Sequence, residues 1–344
     1  MHGAGTPELG QPSPRAHCAV LERFSKHRKW NTPISRELMS DTGTREVGRQ
    51  IANCALKIKA QVLLHPDGEA EANLKGAHLC NARFCPFCEA RRTKALRARL
   101  YQGLEEFYND KPKWRGLFLT FTVKNVPLDQ LGDQLDQMNK AWNRMTQCSF
   151  WPTDYWFRRT EVTVGVPMRG GSDLAATSCV GAVQYTAHPH FHVLLLVKPS
   201  YFSRNYIKKS EWQKQWQMAL RSDYAPVVDV RTAKSKHGNG KNPSEDAKSA
   251  VLEAAKYAAK ANQLLELGPA ITTLHWELRN RRLVAMSKKL SKYVKAGEAS
   301  HQELMDCDAK PLPAGVETLD VIGTWFEDAQ EYVITDIEET APDL

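Results

Sequence analysis

Three histidines alternate with other residues where the chain enters an apolar run, in the sequence HPHFH at residues 188–192. Residues two apart in a β-strand point to the same face of a sheet, and the apolar residues 191–197 predict a strand. His190 and His192 therefore present two imidazoles side by side, which is half of a metal site. His188 has the same spacing and is either a spare ligand or a contact to DNA.

A third ligand is expected from a neighbouring strand. Glu161 lies within residues 156–166, which form the preceding predicted strand and the expected hairpin partner of the histidine strand. A carboxylate beside His190 and His192 suits a hard or borderline divalent cation. The sequence predicts a site for Mg²⁺ or Mn²⁺ with these three ligands.

A late helix, predicted over residues 249–265, carries a tyrosine on a polar face. Glu253 lies four residues before Tyr257 and Lys260 lies three residues after it, so the three side chains share one face. A phenol, whose ordinary pKa is about 10, needs a nearby cation and an activated electrophile to act as a nucleophile. A metal would polarise a phosphate, Lys260 would steady the phenolate or the phosphate, and Glu253 would act as a general base on water or on a 3′-hydroxyl.

Three cysteines have the spacing of a structural zinc site. Cys80, Cys85 and Cys88 are separated by four and two residues, and the second pair forms a Cys-Pro-x-Cys turn. Three thiolates need a fourth ligand. A zinc ion closed by four protein ligands has no open position, so we expect a structural role, in which the site anchors the basic helix predicted over residues 91–101 against DNA.

The remaining periodicity indicates the elements that position these groups. Alternating or continuous apolar residues predict strands, and spacings of three and four predict helices. The predicted strands cover residues 116–123, 156–166, 191–197 and 227–230, and the predicted helices cover 129–147, 211–221 and 249–265. Residues 47–63 are read as helix or mixed structure, and glycine-rich residues 165–181 as a long hairpin connection. The order predicts an α+β fold with helices packed on a central antiparallel sheet.

The net charge of +8 is unevenly distributed along the 344 residues. Residues 198–295 contain 20 Lys and Arg against 8 Asp and Glu, whereas residues 296–344 contain one Lys against 13 acids. The basic part suits a polyanion such as nucleic acid. No apolar run reaches membrane-spanning length and no signal-peptide pattern is present, so we predict a cytoplasmic protein without membrane contact.

Three motifs in this order resemble the replication initiator (Rep) proteins of rolling-circle plasmids, within the HUH endonuclease superfamily. They are FLTFT at residues 118–122, HPHFHVLL at 188–195 and YAAK at 257–260. The sequence DYAPVVDV at residues 223–230 is also similar to the family. The resemblance covers roughly residues 54–292.

The resemblance implies the HUH nuclease fold and its reaction. Such a protein nicks one strand at a double-strand origin, keeps the 5′-phosphate on the tyrosine and frees a 3′-hydroxyl that primes replication. It implies a single-tyrosine type, because Glu253 stands one turn before Tyr257 where a second tyrosine would otherwise lie, and termination then uses a glutamate-activated water. The implied partners are single-stranded and origin hairpin DNA, with a host helicase and the replication polymerase.

The family also has an earlier cysteine in a similar place, which makes Cys54 the expected fourth zinc ligand, with His78 as the alternative. The chain is then divided into five parts. We predict a disordered leader (1–44), a zinc-binding element with a basic helix (45–105), an HUH endonuclease domain (113–265), a helical extension (266–300) and an acidic tail (301–344).

Two other functions are compatible with parts of this pattern. A single-tyrosine HUH transposase or relaxase would use the same chemistry. A non-catalytic, zinc-dependent DNA-binding regulator would use the cysteines and the basic surface, but it leaves Tyr257 and the histidine pair unexplained. Cleavage of an oligonucleotide in the presence of Mg²⁺ or Mn²⁺ separates the regulator from the nucleases.

Overall fold

A computed structural model describes residues 14–165, 185–234, 242–254, 261–295, 297–307, 309–312 and 315–338. The helices are α1 (Pro14–Arg28), α2 (Asn31–Met39), α3 (Arg45–Asn53), α4 (Pro86–Asp110), α5 (Leu131–Thr146), α6 (Ser200–Ser203), α7 (Lys209–Leu220), α8 (Pro243–Ala254), α9 (Ala261–Glu266), α10 (Ile271–Leu278) and α11 (His301–Asp306). The strands are β1 (Lys57–Leu64), β2 (Ala70–Ala77), β3 (Arg115–Thr122), β4 (Val126–Pro127), β5 (Trp156–Gly165), β6 (Thr186–Val197), β7 (Val228–Thr232), β8 (Val284–Met286), β9 (Glu317–Phe326) and β10 (Glu331–Glu338). Among these elements, no helix combines the length and apolar character needed to cross a membrane.

β6 is the central strand of a six-stranded antiparallel sheet. The strand order is β7-β3-β6-β5-β8, and β4 pairs with the beginning of β6. Every residue of β6 from Pro189 to Val197 is buried. Because helices cover both faces of this strand, its apolar residues form a continuous run instead of alternating with polar ones.

Aromatic side chains of α5 and α7 cover one face of this sheet. Trp142 of α5 packs edge-to-face on Phe121 and Phe191, with ring centroids 6.1 and 5.9 Å apart. Trp216 of α7 packs on Phe121 at 5.1 Å, and its indole nitrogen donates a hydrogen bond to the carbonyl oxygen of Thr122 at 2.9 Å. The hydrogen bond satisfies the polar N–H of Trp216, and the rings of both tryptophans contribute apolar area to the core.

α4 and α8 cover the opposite face of the sheet. Phe107 of α4 and Val251 of α8 share a buried apolar cluster with Phe118 of β3 and Leu194 of β6. Leu194 follows His192 by two residues, so it lies on the same face of β6 as the histidines. The helices that sandwich the sheet therefore enclose the histidine face at one end.

The fold class predicted from the sequence, α+β with a central antiparallel sheet and flanking helices, is confirmed. The predicted strands at residues 116–123, 156–166, 191–197 and 227–230 and the predicted helices at 129–147 and 211–221 are present with small shifts at their ends. The helix predicted over residues 249–265 corresponds to the end of α8 and to α9, with residues 255–260 outside the described part. Most of the glycine-rich connection also lies outside it.

A second antiparallel sheet joins the two ends of the chain. Its strand order is β10-β9-β1-β2. β1 pairs with β9 along its whole length, from Lys57 opposite Thr324 to Leu64 opposite Glu317. Residues 47–63, predicted to be helix or mixed structure, contain the end of α3 and most of β1.

The prediction of a disordered leader over residues 1–44 was wrong from residue 14 onward, where α1 and α2 lie. Apolar side chains of both helices are buried in the core: Leu21, Phe24, Ile34 and Leu38. The backbone N–H of Tyr332 in β10 donates to the hydroxyl of Ser25 at 3.1 Å. The partner of α1 is contributed by the far end of the chain, so local composition could not reveal that this segment is covered.

The acidic segment, residues 301–344, is not a tail over its described part. It contains α11 and the paired strands β9 and β10. Its carboxylates are partly neutralised by the first sheet strand, since Lys59 of β1 forms ion pairs with Asp320 and Glu338. The excess of acid therefore marks an exposed strand surface, and pairing with β1 brings this segment into the folded body.

Residues 266–300, predicted to be a helical extension, contain a strand as well as α10. β8 pairs with β5, with Val284 opposite Arg159, and so extends the six-stranded sheet. The other proposed boundaries, at residues 45–105 and 113–265, stay a prediction.

Gly103 in α4 offers a test of the packing between α4 and the segment before α11. A Cβ at this position would lie 2.7 Å from the backbone oxygen of Tyr293 and against Val294. Gly→Ala in a helix interior normally stabilises by about 1 kcal/mol, but Gly103→Ala should instead destabilise by roughly 1–3 kcal/mol because backbone atoms must move. Urea unfolding measures this difference, and Gly76→Ala, which meets only ordinary contact at 3.5 Å, should be close to neutral. A stabilised Gly103→Ala variant would contradict the packing described.

Candidate metal centre

The pairing of β5 with β6 brings the three predicted ligands of the catalytic metal together. Glu161 lies directly opposite His190 in the strand register. A carboxylate oxygen of Glu161, Oε2, is 3.0 Å from Nε2 of His192 and 3.7 Å from Nε2 of His190. The ligand atoms of the three residues all lie within 4.8 Å of one another. One oxygen and two imidazole nitrogens at this separation fit a single cation.

The two imidazoles are held by hydrogen bonds on their other nitrogens. Nδ1 of His192 is 3.2 Å from the hydroxyl of Thr120 in β3, and Nδ1 of His190 donates to the carbonyl oxygen of His188 at 3.2 Å. Nδ1 held in this way would keep its proton when a metal is bound, which leaves the lone pair of Nε2 as the metal ligand. Both rings therefore present Nε2 toward Glu161.

The environment keeps the carboxylate of Glu161 charged. Burial alone would raise its pKa, but hydrogen bonds from His190 and His192 outweigh this effect and hold the pKa below its ordinary range. Each histidine is only 9% exposed. The carboxylate of Glu161 and the two imidazoles, largely shielded from water, form a donor set suited to a divalent cation.

An ion pair links this centre to α4. Arg159 lies opposite His192 in the register and two residues before Glu161. Its Nη2 donates to Oε1 of Glu89 at 2.8 Å, and the other carboxylate oxygen of Glu89 accepts from Nε of Arg92 at 3.0 Å. The sequence patterns did not single out Glu89 or Arg159, because they are 70 residues apart and only the tertiary fold makes them neighbours.

The open rim of the centre is polar. His188, which was expected to be a spare ligand or a DNA contact, is not part of the ligand group but has its Nδ1 2.7 Å from Oδ1 of Asn125. Burial and the charge of His190 lower the pKa of His188. Beside it the ammonium group of Lys124 lies 4.4 Å from the ring centre of Tyr224. The rim thus offers a cation supported by an aromatic ring, and hydrogen-bonding groups, next to the metal ligands.

The four predicted zinc ligands also converge. The sulfurs of Cys54, Cys80, Cys85 and Cys88 all lie within 4.8 Å of one another, with Cys54 and Cys80 at 3.4 and 3.8 Å from Cys88. The structure therefore groups Cys54 with the knuckle cysteines, as expected, and does not include His78. All four sulfurs are shielded, three of them fully buried.

A residue of α2 completes this cluster. The amide Nδ2 of Asn31, a fully buried side chain, lies 3.4 Å from Sγ of Cys85, and the backbone N–H of Cys88 also points at this sulfur, at 3.5 Å. Burial raises the pKa of Cys85, whereas hydrogen bonds from its neighbours, first of all Cys54, lower the pKa of Cys80. Four thiols this close together can all lose their protons beside a bound cation, which compensates the mutual repulsion of the thiolates. Asn31 was missed because it lies in the segment predicted to be disordered.

Three arginines that follow the cysteine cluster bond to other elements of the protein. Arg91 donates to the carbonyl oxygens of Leu304 and Met305 at the end of α11. Arg97 donates to the carbonyl oxygen of Leu252, and Arg99 pairs with Glu303. α4 therefore joins α8 and α11, and the expectation that this basic helix is anchored against DNA stays a prediction.

Two of the three predicted catalytic residues, Tyr257 and Lys260, lie outside the described residues, and Glu253 is described only as part of the backbone of α8. Their roles stay predictions. The described part of α8 packs on the same face of the sheet as His192, through Val251 in the cluster that contains Phe118. The ring of Phe118 in turn stacks on the ring of His192, with centroids 5.5 Å apart.

The convergence of sulfurs predicts the metal content of cysteine variants. Cys54→Ser should lower the tightly bound metal from one ion per chain and destabilise the protein, because three sulfurs cannot close a tetrahedral site. His78→Ala, the matched control, should keep the full metal content. Elemental analysis of the purified variants measures this. If His78→Ala lost the metal and Cys54→Ser kept it, the fourth ligand would be His78 and not Cys54.

Comparison with known proteins places the chain in a family. Residues 71–333 match the family model Rep_1, described as replication protein. Similar proteins include "Protein rep" of Streptococcus pneumoniae serotype 2, 29% identical over 77% of this chain and 78% of its own, and "Protein rep" of Lentilactobacillus hilgardii, 30% identical over 71% and 73%. "Protein rep" of Lactiplantibacillus plantarum is 30% identical over 74% and 79%. No solved structure matches the chain. The match confirms the family predicted from the three motifs: the chain belongs to the Rep_1 family of replication proteins.

Proposed function

We propose that this protein initiates rolling-circle replication of a plasmid by nicking, and later rejoining, one DNA strand at the double-strand origin. The observation that carries the proposal is the convergence of Glu161, His190 and His192 on one face of the sheet. A replication protein has no evident structural use for two imidazoles and a carboxylate brought together in one shielded site. A phosphate-cleaving site does have such a use.

Mg²⁺ or Mn²⁺ is the proposed ion at this centre, whose carboxylate is a hard ligand and which includes no thiolate. The cysteine cluster has the opposite character and suits zinc. Bound at Glu161, His190 and His192, a divalent cation would polarise the scissile phosphate and stabilise its developing charge.

The position of α8 supports Tyr257 as the nucleophile. The described part of α8 lies on the histidine face, and Tyr257 follows its last described residue, Ala254, by three positions. In the proposed reaction the phenol of Tyr257 gives up its proton to solvent and its oxygen attacks phosphorus. The bond from phosphorus to the 3′ oxygen breaks, and this oxygen takes up a proton, so that no net proton is gained or lost. The phosphotyrosine ester conserves the bond energy, so rejoining requires no ATP. Lys260 would stabilise the phenolate or the phosphate.

Glu253 is proposed to act at the end of the cycle. One turn before Tyr257, its carboxylate would accept a proton from water or from a DNA 3′-hydroxyl. We place the protein in the bacterial cytoplasm, where it would bind single-stranded and hairpin DNA at the origin. A host helicase and the replication polymerase would then act on the nicked origin.

His192→Ala tests the metal centre. It should lower nicking of a supercoiled origin plasmid by at least about 100-fold, because loss of a ligand costs more than loss of the hydrogen-bond partner that orients it. Calorimetric Mn²⁺ binding should be lost in parallel, while binding to duplex origin DNA stays. His301→Ala, an exposed histidine in α11, is the control for the same change in side chain. Full nicking by His192→Ala would refute the proposed centre.

Tyr257→Phe tests the nucleophile. Removal of one oxygen should keep the fold and Mn²⁺ binding but lower cleavage by more than roughly 10⁴-fold, as removal of a nucleophile does. The covalent protein–DNA adduct on a denaturing gel should disappear. Tyr101→Phe in α4 removes a hydroxyl from the same side of the sheet and should leave the adduct unchanged. An adduct that persists in Tyr257→Phe and maps to another tyrosine would overturn the assignment.

The same gel separates the role of Glu253 from that of Tyr257. Glu253→Ala should form the adduct at nearly the normal rate and accumulate it, because a general base for water is needed only at release. Equal loss of the first cleavage and of release would exclude a role confined to termination.

A further inference from the structure

Three arginines of α4 bond to groups within the protein. A second basic stretch lies at the other end of β6, in the segment from Lys198 to Lys214. It contains five cations and a single acid. All five cations are exposed: Lys198, Arg204, Lys208, Lys209 and Lys214. We call these five residues, together with the exposed rings of Phe202 and Tyr206, the distal basic surface.

The cations of this surface are not neutralised within the described part of the chain. No ion pair joins any of the five to a described carboxylate, in contrast to Arg99, Lys59 and Lys310, each of which has an acidic partner. The single acid of the segment, Glu211, accepts a hydrogen bond from the backbone N–H of Lys208 at 2.9 Å, at the beginning of α7. The segment therefore presents an uncompensated positive charge to solvent.

Exposed aromatic rings lie among these cations. Tyr206 is 62% exposed and Phe202 is 39% exposed, although large aromatic side chains usually contribute to the core. Both rings rest against Tyr201, with centroids 6.0 and 5.2 Å apart, and Tyr201 is itself buried beside Trp212. The exposed rings are thus supported from below and present their free sides to solvent.

A cleft of about 680 Å³ lies in the same segment, on the side of Tyr201 that neither Tyr206 nor Phe202 lines. Its lining combines apolar walls with two lysines, one acid and hydrogen-bonding groups: Phe150, Tyr201, Lys198, Lys214, Glu211 and Asn205. Lys198 and Lys214 at the cleft can contact backbone phosphates, and the exposed rings of the same segment can stack on unpaired bases, the two kinds of contact by which proteins bind single-stranded nucleic acid. Duplex DNA hides its base faces and would leave Tyr206 and Phe202 without a use.

We propose that the distal basic surface binds single-stranded DNA, as a second contact that is separate from the metal centre. Lys198 follows His192 by six residues along an extended strand, which corresponds to about 20 Å. The proposal rests on the proposed function insofar as a nicking protein would meet a single strand near the origin. This surface would bind the strand independently of its sequence. Tyr206 would stack on a base, and Lys198 and Lys214 would contact phosphates.

Fluorescence anisotropy with labelled oligothymidine tests this surface without requiring cleavage. In Lys198→Gln/Lys214→Gln, affinity should fall and the slope of log K against log salt should decrease by about 1.4, since each single-strand phosphate contact contributes about 0.7. The control Lys57→Gln/Lys75→Gln makes the same charge change on the four-stranded sheet and should leave affinity and slope nearly unchanged.

Tyr206→Ala should weaken oligothymidine binding by at least about fivefold, and Tyr206→Trp should restore it, because stacking on one base has this magnitude. Unchanged affinity in both the lysine and the Tyr206→Ala variants would overturn the proposal. So would a loss confined to duplex DNA of the same length.

Nicking of the origin plasmid, measured on the same variants, separates the two proposals. If the unmodified protein binds oligothymidine through these residues but does not nick, the proposed function fails and the single-strand contact stands. If it nicks and the variants bind normally, the reverse holds.

Discussion

The antiparallel register between β5 and β6 is the constraint on which the metal centre depends. It sets Glu161 opposite His190 and Arg159 opposite His192. The pairing of β6 with β3 sets Thr120 opposite His192 on the other side. Because side chains alternate between faces, a slip of one residue in either pair would send a ligand or its hydrogen-bond partner to the opposite face. The aromatic layer under α5 and α7 opposes such a slip, since Phe191 has to meet Trp142 while its neighbours face the metal side.

α4 extends this constraint from the six-stranded sheet to the rest of the chain. Cys85 caps the beginning of this helix and Cys88 lies in its first turn, and the next residue, Glu89, accepts a hydrogen bond from Arg159 of β5. The other two cysteines follow α3 and β2, and Asn31 of α2 donates to the cluster. A cation at the cysteines would therefore fix the position of Glu89, and through it the backbone beside Glu161 and His192.

The distribution of charge has two different physical meanings in this chain. Three arginines of α4 donate to backbone carbonyl oxygens or pair with Glu303, so their charges join parts of the same chain. The acids at the other end cover the second sheet and meet Lys59 and Lys310. Cations of the segment from Lys198 to Lys214 lack such partners among the described residues. A count of charges along the sequence does not distinguish these cases, because only geometry decides whether a cation is used inside the protein.

Some features of this protein follow from local sequence alone. The alternation in HPHFH determined that His190 and His192 share a face, and the knuckle spacing determined that Cys85 and Cys88 meet, because both relations are fixed by backbone geometry over a few residues. The order of the three motifs was sufficient to identify the family. Other features were decided by tertiary structure. The contacts of Glu161 with both histidines, of Glu89 with Arg159 and of α1 with β10 join residues that lie far apart in the chain. Their formation depends on strand register and on which elements cover which face of a sheet. Local periodicity determines neither.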